Sequence, residues 1–232
     1  MGNILEMLQN GFARNFITED RYLFIVNGFF TTIQITFFAV LLGICVGFLI
    51  AMIRATHDMT GKLKIPNYIC KLYLTLIRGT PTMVQLLILN FIVFASMNNK
   101  IMVAILAFGI NSGAYVAEIV RSGIMSIDKG QMEAGRSLGF HYIQSMFYIV
   151  LPQAFKNVLP ALGNEMIVLL KETAISGYIA IQDLTKGGDI IRSRTYDAYF
   201  PLLTVAAIYL MIVMIMTYFV NRLERRLRNS DH

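Results

Sequence analysis

The feature that most constrains this chain is the length of its uncharged apolar runs. No Asp, Glu, Lys or Arg occurs from Tyr22 to Ile53 or from Ala198 to Asn221. A helix that satisfies its own backbone hydrogen bonds needs about 20 apolar residues to cross a hydrocarbon core of about 30 Å. Such runs cannot be hidden in a water-soluble domain of 232 residues. Charged residues make up only 15% of the chain, against roughly 25% in ordinary soluble proteins, so too few are present to clothe one large core. An integral membrane protein is the class that remains.

The runs predict an all-α fold of five transmembrane helices. The first covers Tyr22 to Ile53 as one tilted or extended helix. The second covers Ile65 to Met97, with Arg78 early in it and Gly79-Thr80-Pro81 interrupting the helix. Asn98-Asn99-Lys100 forms a tight turn into the third, Ile101 to about Ile119. The fourth runs from about Phe155 to Ile181 and the fifth from about Ala198 to Asn221. Residues 1–21 form an extracytoplasmic segment in which Ile4, Leu5, Met7, Leu8 and Phe12 recur at helical spacing, as in an interfacial helix that stays on the chain and not in a cleaved signal. The remaining domains are a transmembrane body, 22–221, and a basic tail, 222–232.

Orientation follows from the basic residues, which short cytoplasmic loops retain. Twelve fall in the segments after the first, third and fifth runs, and Arg222, Arg225, Arg226 and Arg228 put the C-terminus inside and the N-terminus outside. Six basic residues fall outside and are offset by six acids there. Topology therefore accounts for the net charge of +6, and no nucleic-acid partner is implied. Cys45 and Cys70 lack the spacing of a disulfide framework or metal site and read as small core residues. No Gly-x-x-x-x-Gly-Lys-Ser/Thr loop is present, so the chain has no phosphate-binding loop of its own.

The segment 126–152 is long for a connection in a small bundle. Asp128 and Gln131 have N-cap and N3 spacing, Gln131 to Leu138 is helix-compatible, and Gly139 fits a left-handed stop. His141 to Val150 reads as a second helix, and Pro152 marks a bend before the fourth span. Glu133-Ala134-Gly135, then Gly139, Ile149 and Leu151-Pro152, resembles the EAA loop of bacterial ABC importer permeases, departing only in Gly135 for Ala. Arg78-Gly79-Thr80-Pro81 with Gln85, the stretch Ala114 to Ile124, and Leu159 to Glu165 are similar to the polar amino acid branch of that family, of the histidine, glutamine and arginine type.

That resemblance implies a permease subunit of an importer in the bacterial cytoplasmic (inner) membrane, multi-pass and set in membrane lipid. It implies two ATP-binding subunits, a second permease copy or close paralogue forming a dimer, and an extracytoplasmic substrate-binding protein. ATP and Mg would lie on the partner ATPase, with no cofactor, metal or catalytic residue in this chain, which is not an enzyme. The coupling helix would present Glu133, Ala134, Gly135, Arg136 and Gly139 to the ATPase. Gly135 would loosen that helix slightly without obstructing a partner. A self-sufficient channel or ion-coupled secondary amino acid carrier is the rival reading, and it has no need of such a loop.

Ionisable groups within spans are costly, which singles out Glu165. Its carboxylate can meet the α-ammonium or a cationic side chain of an amino acid substrate, or it can form a buried hydrogen bond or an ion pair with Lys171 or Arg78. Both alternatives stand. Lys171-Glu172 reads as a structural pair or as a gate in the outer half of the span. Asn164 adjoins Glu165 in the candidate substrate set. At the break, free amides near Thr80 can receive a carboxylate, with Gln85 close by, or the break is a simple proline kink. Asn111, Ser112 and Tyr115 lie within about one turn and can share a polar face, or serve as interhelical contacts. Which amino acid is carried, whether cationic, glutamine, histidine or cystine, stays open.

Overall fold

The computed structural model describes Glu6 and residues 9–228, apart from the Arg228 side chain, and among these all regular structure is helical. The principal helices are α1 (Tyr22–Thr60), α2 (Lys64–Arg78), α3 (Thr82–Ile88), α4 (Lys100–Met125), α5 (Lys129–Ser137), α6 (Tyr142–Ser145), α7 (Leu151–Glu172), α8 (Leu184–Thr195) and α9 (Tyr199–Arg228). Ile4, Leu5, Met7 and Leu8 of the expected N-terminal helix lie outside the described residues. A π-helical turn, Ala13–Ile17, and a kinked 3-10 turn, Thr18–Asp20, lead into α1.

The centre of the bundle is the pairing of α1 with α4, made close by small residues. On α1 the buried positions Gly28, Thr32, Thr36, Ala39, Gly43, Gly47, Ala51 and Ala55 recur about every four residues. That stripe lets a second backbone approach, the usual basis of helix association where lipid removes the hydrophobic drive. A Cβ added at Gly47 would lie 2.8 Å from the Ala117 backbone nitrogen, so the contact leaves no room for a side chain. Ile35, Leu86, Phe108 and Leu169 fill one end of the bundle, and Val116, Val120, Ile124, Met146 and Val158 the other.

Among the described residues three helices, α1, α4 and α9, are long and apolar enough to cross a membrane, and the pair α2 and α3 qualifies as a fourth if its two halves are one broken span. The expected fourth span, α7, carries Lys156, Glu165, Lys171 and Glu172, and its composition leaves it out of that class. The helices also outrun the apolar runs that announced them. α1 continues to Thr60, where Gly61 caps it in the left-handed conformation (φ 69°), and α4 continues to Met125, because charges at helix ends stand clear of hydrocarbon and do not stop a helix. The fourth expected span ends earlier, at Glu172, and passes into a 3-10 segment, Thr173–Ile179.

Two local expectations are corrected. Cys70 is buried, but Cys45 is exposed on α1, on the face opposite the small-residue stripe. The bend expected at Pro152 does not occur as a break. Pro152 falls in the first turn of α7, and the missing amide is accommodated next to a π-helical turn, Met146–Val150, that joins α6 to α7.

Candidate functional site

The helix break is the first component. α2 stops at Arg78, α3 starts at Thr82, and the two are bent by 105°. The carbonyls freed by the break are taken up by one side chain. Gln85 Nε2 donates to the carbonyl oxygens of Ile77 (2.7 Å) and Thr80 (3.0 Å) and to Thr80 Oγ1 (2.8 Å). Asn111 Nδ2 on α4 donates to Gln85 Oε1 at 2.9 Å, which fixes the amide from behind. Thr80, Gln85 and Asn111 therefore form a splint across the break, and the simple proline kink is too plain a description. Asn111 Oδ1 keeps no partner among the described residues.

The second component is Glu165. Its carboxylate accepts a hydrogen bond from Ser112 Oγ at 2.9 Å, tying α7 to α4. Neither expected cation pairs with it among the described residues. Arg78 instead lies with its guanidinium carbon 5.6 Å from the Tyr115 ring centroid and its Nη1 4.0 Å from Glu118 Oε2. Lys171 is exposed. Asn111, Ser112 and Tyr115 thus sit together on α4, yet each has a different partner. Asn164 departs from the group and lines a crevice between α7 and the end of α9, beside Lys156 and Glu224.

Below Tyr115 lies an ion network that the run-by-run reading of the sequence did not collect. Arg54 of α1 donates to Glu118 Oε2 at 2.8 Å, Arg121 bonds the other oxygen of Glu118, and Arg121 also reaches Asp58 at 3.1 Å. Arg54, Lys71, Arg78 and Glu118 line an open cavity of about 540 Å³. The available signal was Glu118 three residues before Arg121 on an apolar helix, since a charge so placed needs a partner.

The third component is α5. Asp128 caps it by accepting from Gly130 N at 2.6 Å. Gly139 ends it at φ 88°, with Gly139 N bonded to the Arg136 carbonyl and Phe140 N to the Gly135 carbonyl. That pair of bonds is the Schellman termination. Glu133, Ala134, Arg136 and Gly139 are exposed. Gly135 is buried against the chain's own next helix: a Cβ there would meet Ser145 Oγ at 2.7 Å and Ile149 Cδ1 at 2.8 Å. Gly135 thus packs within the chain, off the exposed face of α5. A groove of about 890 Å³ lies between α5 and the ends of α1 and α4. No group of His, Cys, Asp or Glu able to hold a metal occurs among the described residues.

Residues 43–229 match the family described as binding-protein-dependent transport system inner membrane component. The arginine transport system permease protein ArtQ of Bacillus subtilis is 35% identical over 211 residues, covering 90% of this chain and 94% of that protein. The glutamine transport system permease protein GlnP of Escherichia coli K12 is 33% identical over 199 residues, covering 84% of this chain and 90% of that protein. A crystal structure of an amino acid ABC transporter with histidines superposes with a TM-score of 0.81 at 41% identity, over 91% of this chain and 98% of that one.

Proposed function

Because the chain belongs to the family of binding-protein-dependent transport system inner membrane components, we propose that it is the permease subunit of an ATP-binding-cassette importer that moves polar amino acids inward. It crosses the bacterial cytoplasmic membrane five times, α7 being the fourth crossing, with its N-terminus outside and its C-terminus inside. A second copy or close paralogue completes the pathway, two ATP-binding subunits hydrolyse ATP with Mg, and an extracytoplasmic binding protein delivers the substrate. α5 is the coupling helix seated on the ATPase through Glu133, Ala134, Arg136 and Gly139, with Gly135 holding it to α6.

The observation that carries the substrate reading is the state of Glu165. Its carboxylate meets a hydroxyl, and the charges on α7 are what a helix lining a polar path would carry and a lipid-facing helix would not. Ser112, which it contacts, lies one helical turn from Tyr115, on which Arg78 rests. One turn is about 5 Å, so a carboxylate and a guanidinium are offered on neighbouring levels of α4, a match for an ammonium and a carboxylate on one small molecule. In this reading Thr80, Gln85 and Asn111 hold the site in shape, Asn111 Oδ1 remains open as an acceptor, and Asn164 belongs to the α7–α9 crevice.

The test is Glu165→Gln, which keeps an acceptor for Ser112 but removes the charge. A charge-assisted bond contributes about 1.5 to 3 kcal/mol, so apparent uptake affinity should fall roughly 10- to 150-fold with the melting temperature unchanged. Unchanged affinity with a lowered melting temperature would show a purely structural carboxylate. Uptake that survives removal of the ATPase would favour an ion-coupled carrier instead.

A further inference from the structure

Where α1 ends, a second groove of about 450 Å³ opens beside α6. Met52, Leu63, Met146 and Phe147 supply apolar walls, and Lys62 and His141 are the basic side chains in its lining. The two other polar groups are turned to each other, since Tyr142 Oη donates to Thr56 Oγ1 at 3.4 Å. Among the described residues no carboxylate lines the groove. The carboxylate closest in sequence, Asp58, is paired with Arg121 at 3.1 Å, so the Lys62 ammonium has no ion-pair partner among the described residues.

The level of the groove narrows its occupant. Met52 belongs to the last turn of the uncharged run, which ends at Ile53, so the apolar walls meet the basic rim where hydrocarbon gives way to headgroups. Ile143, Phe147 and Tyr148 are 67%, 56% and 73% exposed on the adjoining segment, which continues the apolar surface outward at that level. A small free anion would satisfy Lys62 and leave the walls wet. An apolar peptide would cover the walls and leave the cation without a partner. An amphiphile with one anionic head satisfies both.

We propose that this groove holds an anionic phospholipid of the cytoplasmic leaflet, its phosphate on Lys62 and His141 and an acyl chain along Met52, Met146 and Phe147. The side of the membrane rests on the topology proposed above; the lipid contact itself rests on the groove.

The full chain, purified in detergent with its co-purifying subunits, would be offered phosphatidylglycerol or phosphatidylcholine in equal amounts, and the retained lipid counted by native mass spectrometry. Wild type should retain phosphatidylglycerol preferentially. Lys62→Ala should lower that retention about fivefold, the weight of one basic residue at an anionic membrane surface. Phe147→Ser, which leaves the charge alone, should also lower it. Equal retention of both lipids by wild type overturns the proposal, as does unchanged phosphatidylglycerol in Lys62→Ala. A loss in Lys62→Ala with none in Phe147→Ser makes the contact a headgroup attraction outside the groove and overturns it too. Retention seen only after ATP-binding subunits have been stripped from the preparation assigns the groove to the ATPase and overturns the lipid assignment. Transport is not the readout, so failure here and failure of the importer reading can be told apart.

Discussion

Replacing Asp183 with Asn should make the protein more stable at neutral pH and no more stable in acid. Asp183 is fully buried and caps α8, its Oδ1 accepting from Lys186 N at 3.0 Å, while Oδ2 has no partner among the described residues. Burial pushes its carboxyl up to about 6 from an ordinary 3.8, against the backbone hydrogen bonds from Lys186 and Thr185 that favour the charged form. Between those two values the folded chain holds a proton that the unfolded chain has released. Stability therefore falls as pH rises through that window, and the loss is complete above about 6. A shift of this size corresponds to about 3 kcal/mol. Asn cannot ionise, caps a helix about as well as Asp, and forfeits only the charge–dipole attraction of roughly 0.3 to 1 kcal/mol. The net gain at pH 7.5 is about 2 kcal/mol, or about 4 to 8 °C in melting temperature for a chain of this size. Melting curves of wild type and Asp183→Asn in detergent at pH 4 and pH 7.5 decide the matter. Parallel pH profiles, or a variant that melts lower at pH 7.5, would mean that the buried carboxylate is the favoured form, and the reasoning would be refuted.

Two further outcomes are expected from packing around the candidate site. Gln85→Leu leaves the Ile77 and Thr80 carbonyls without their donor and should cost about 2 to 4 kcal/mol, read as a lowered melting temperature; an unchanged temperature with weakened uptake would make Gln85 a ligand and not a splint. Gly135→Val drives a side chain into Ser145 and Ile149, so it should cost about 1 to 3 kcal/mol and cut ATP-driven uptake while the subunit still inserts, as measured by membrane-fraction abundance beside transport.

How much could be read from sequence depended on whether the determining partners were local. The break after Arg78, the cap at Asp128 and the stop at Gly139 are set within a few residues of each other, and all three were legible. So was the grouping of Asn111, Ser112 and Tyr115 on α4, because helical spacing alone produces it. The Arg54 to Glu118 pair spans 64 positions, and nothing in either neighbourhood names the other. That Gly135 is packed within the chain was not legible, because the helix that occupies its missing side chain begins only at Tyr142, across a turn whose direction the sequence does not specify. Adjacent residues on a helix diverge by about 100°, so Glu165 facing α4 sends Asn164 towards the end of α9.

From Tyr142 to Glu172 the chain stays helical without a loop, through α6, the π-helical turn and α7. The shaft is about 45 Å long, with α5 packed against its foot through Gly135 and Glu165 high on its length. A shaft of this kind cannot take up a push by slack, as a flexible connection would. Displacement at the foot must tilt or turn the whole rod, or else be spent at its irregular points, which are Pro160 inside α7 and the π-helical joint Met146–Val150, where the wider winding has hydrogen bonds that can shift register. That joint helps to set how much of any movement delivered at α5 is felt at the hydrogen bond between Ser112 and Glu165. Stiffening it would tighten the transmission, and loosening it would uncouple the two ends while leaving each intact.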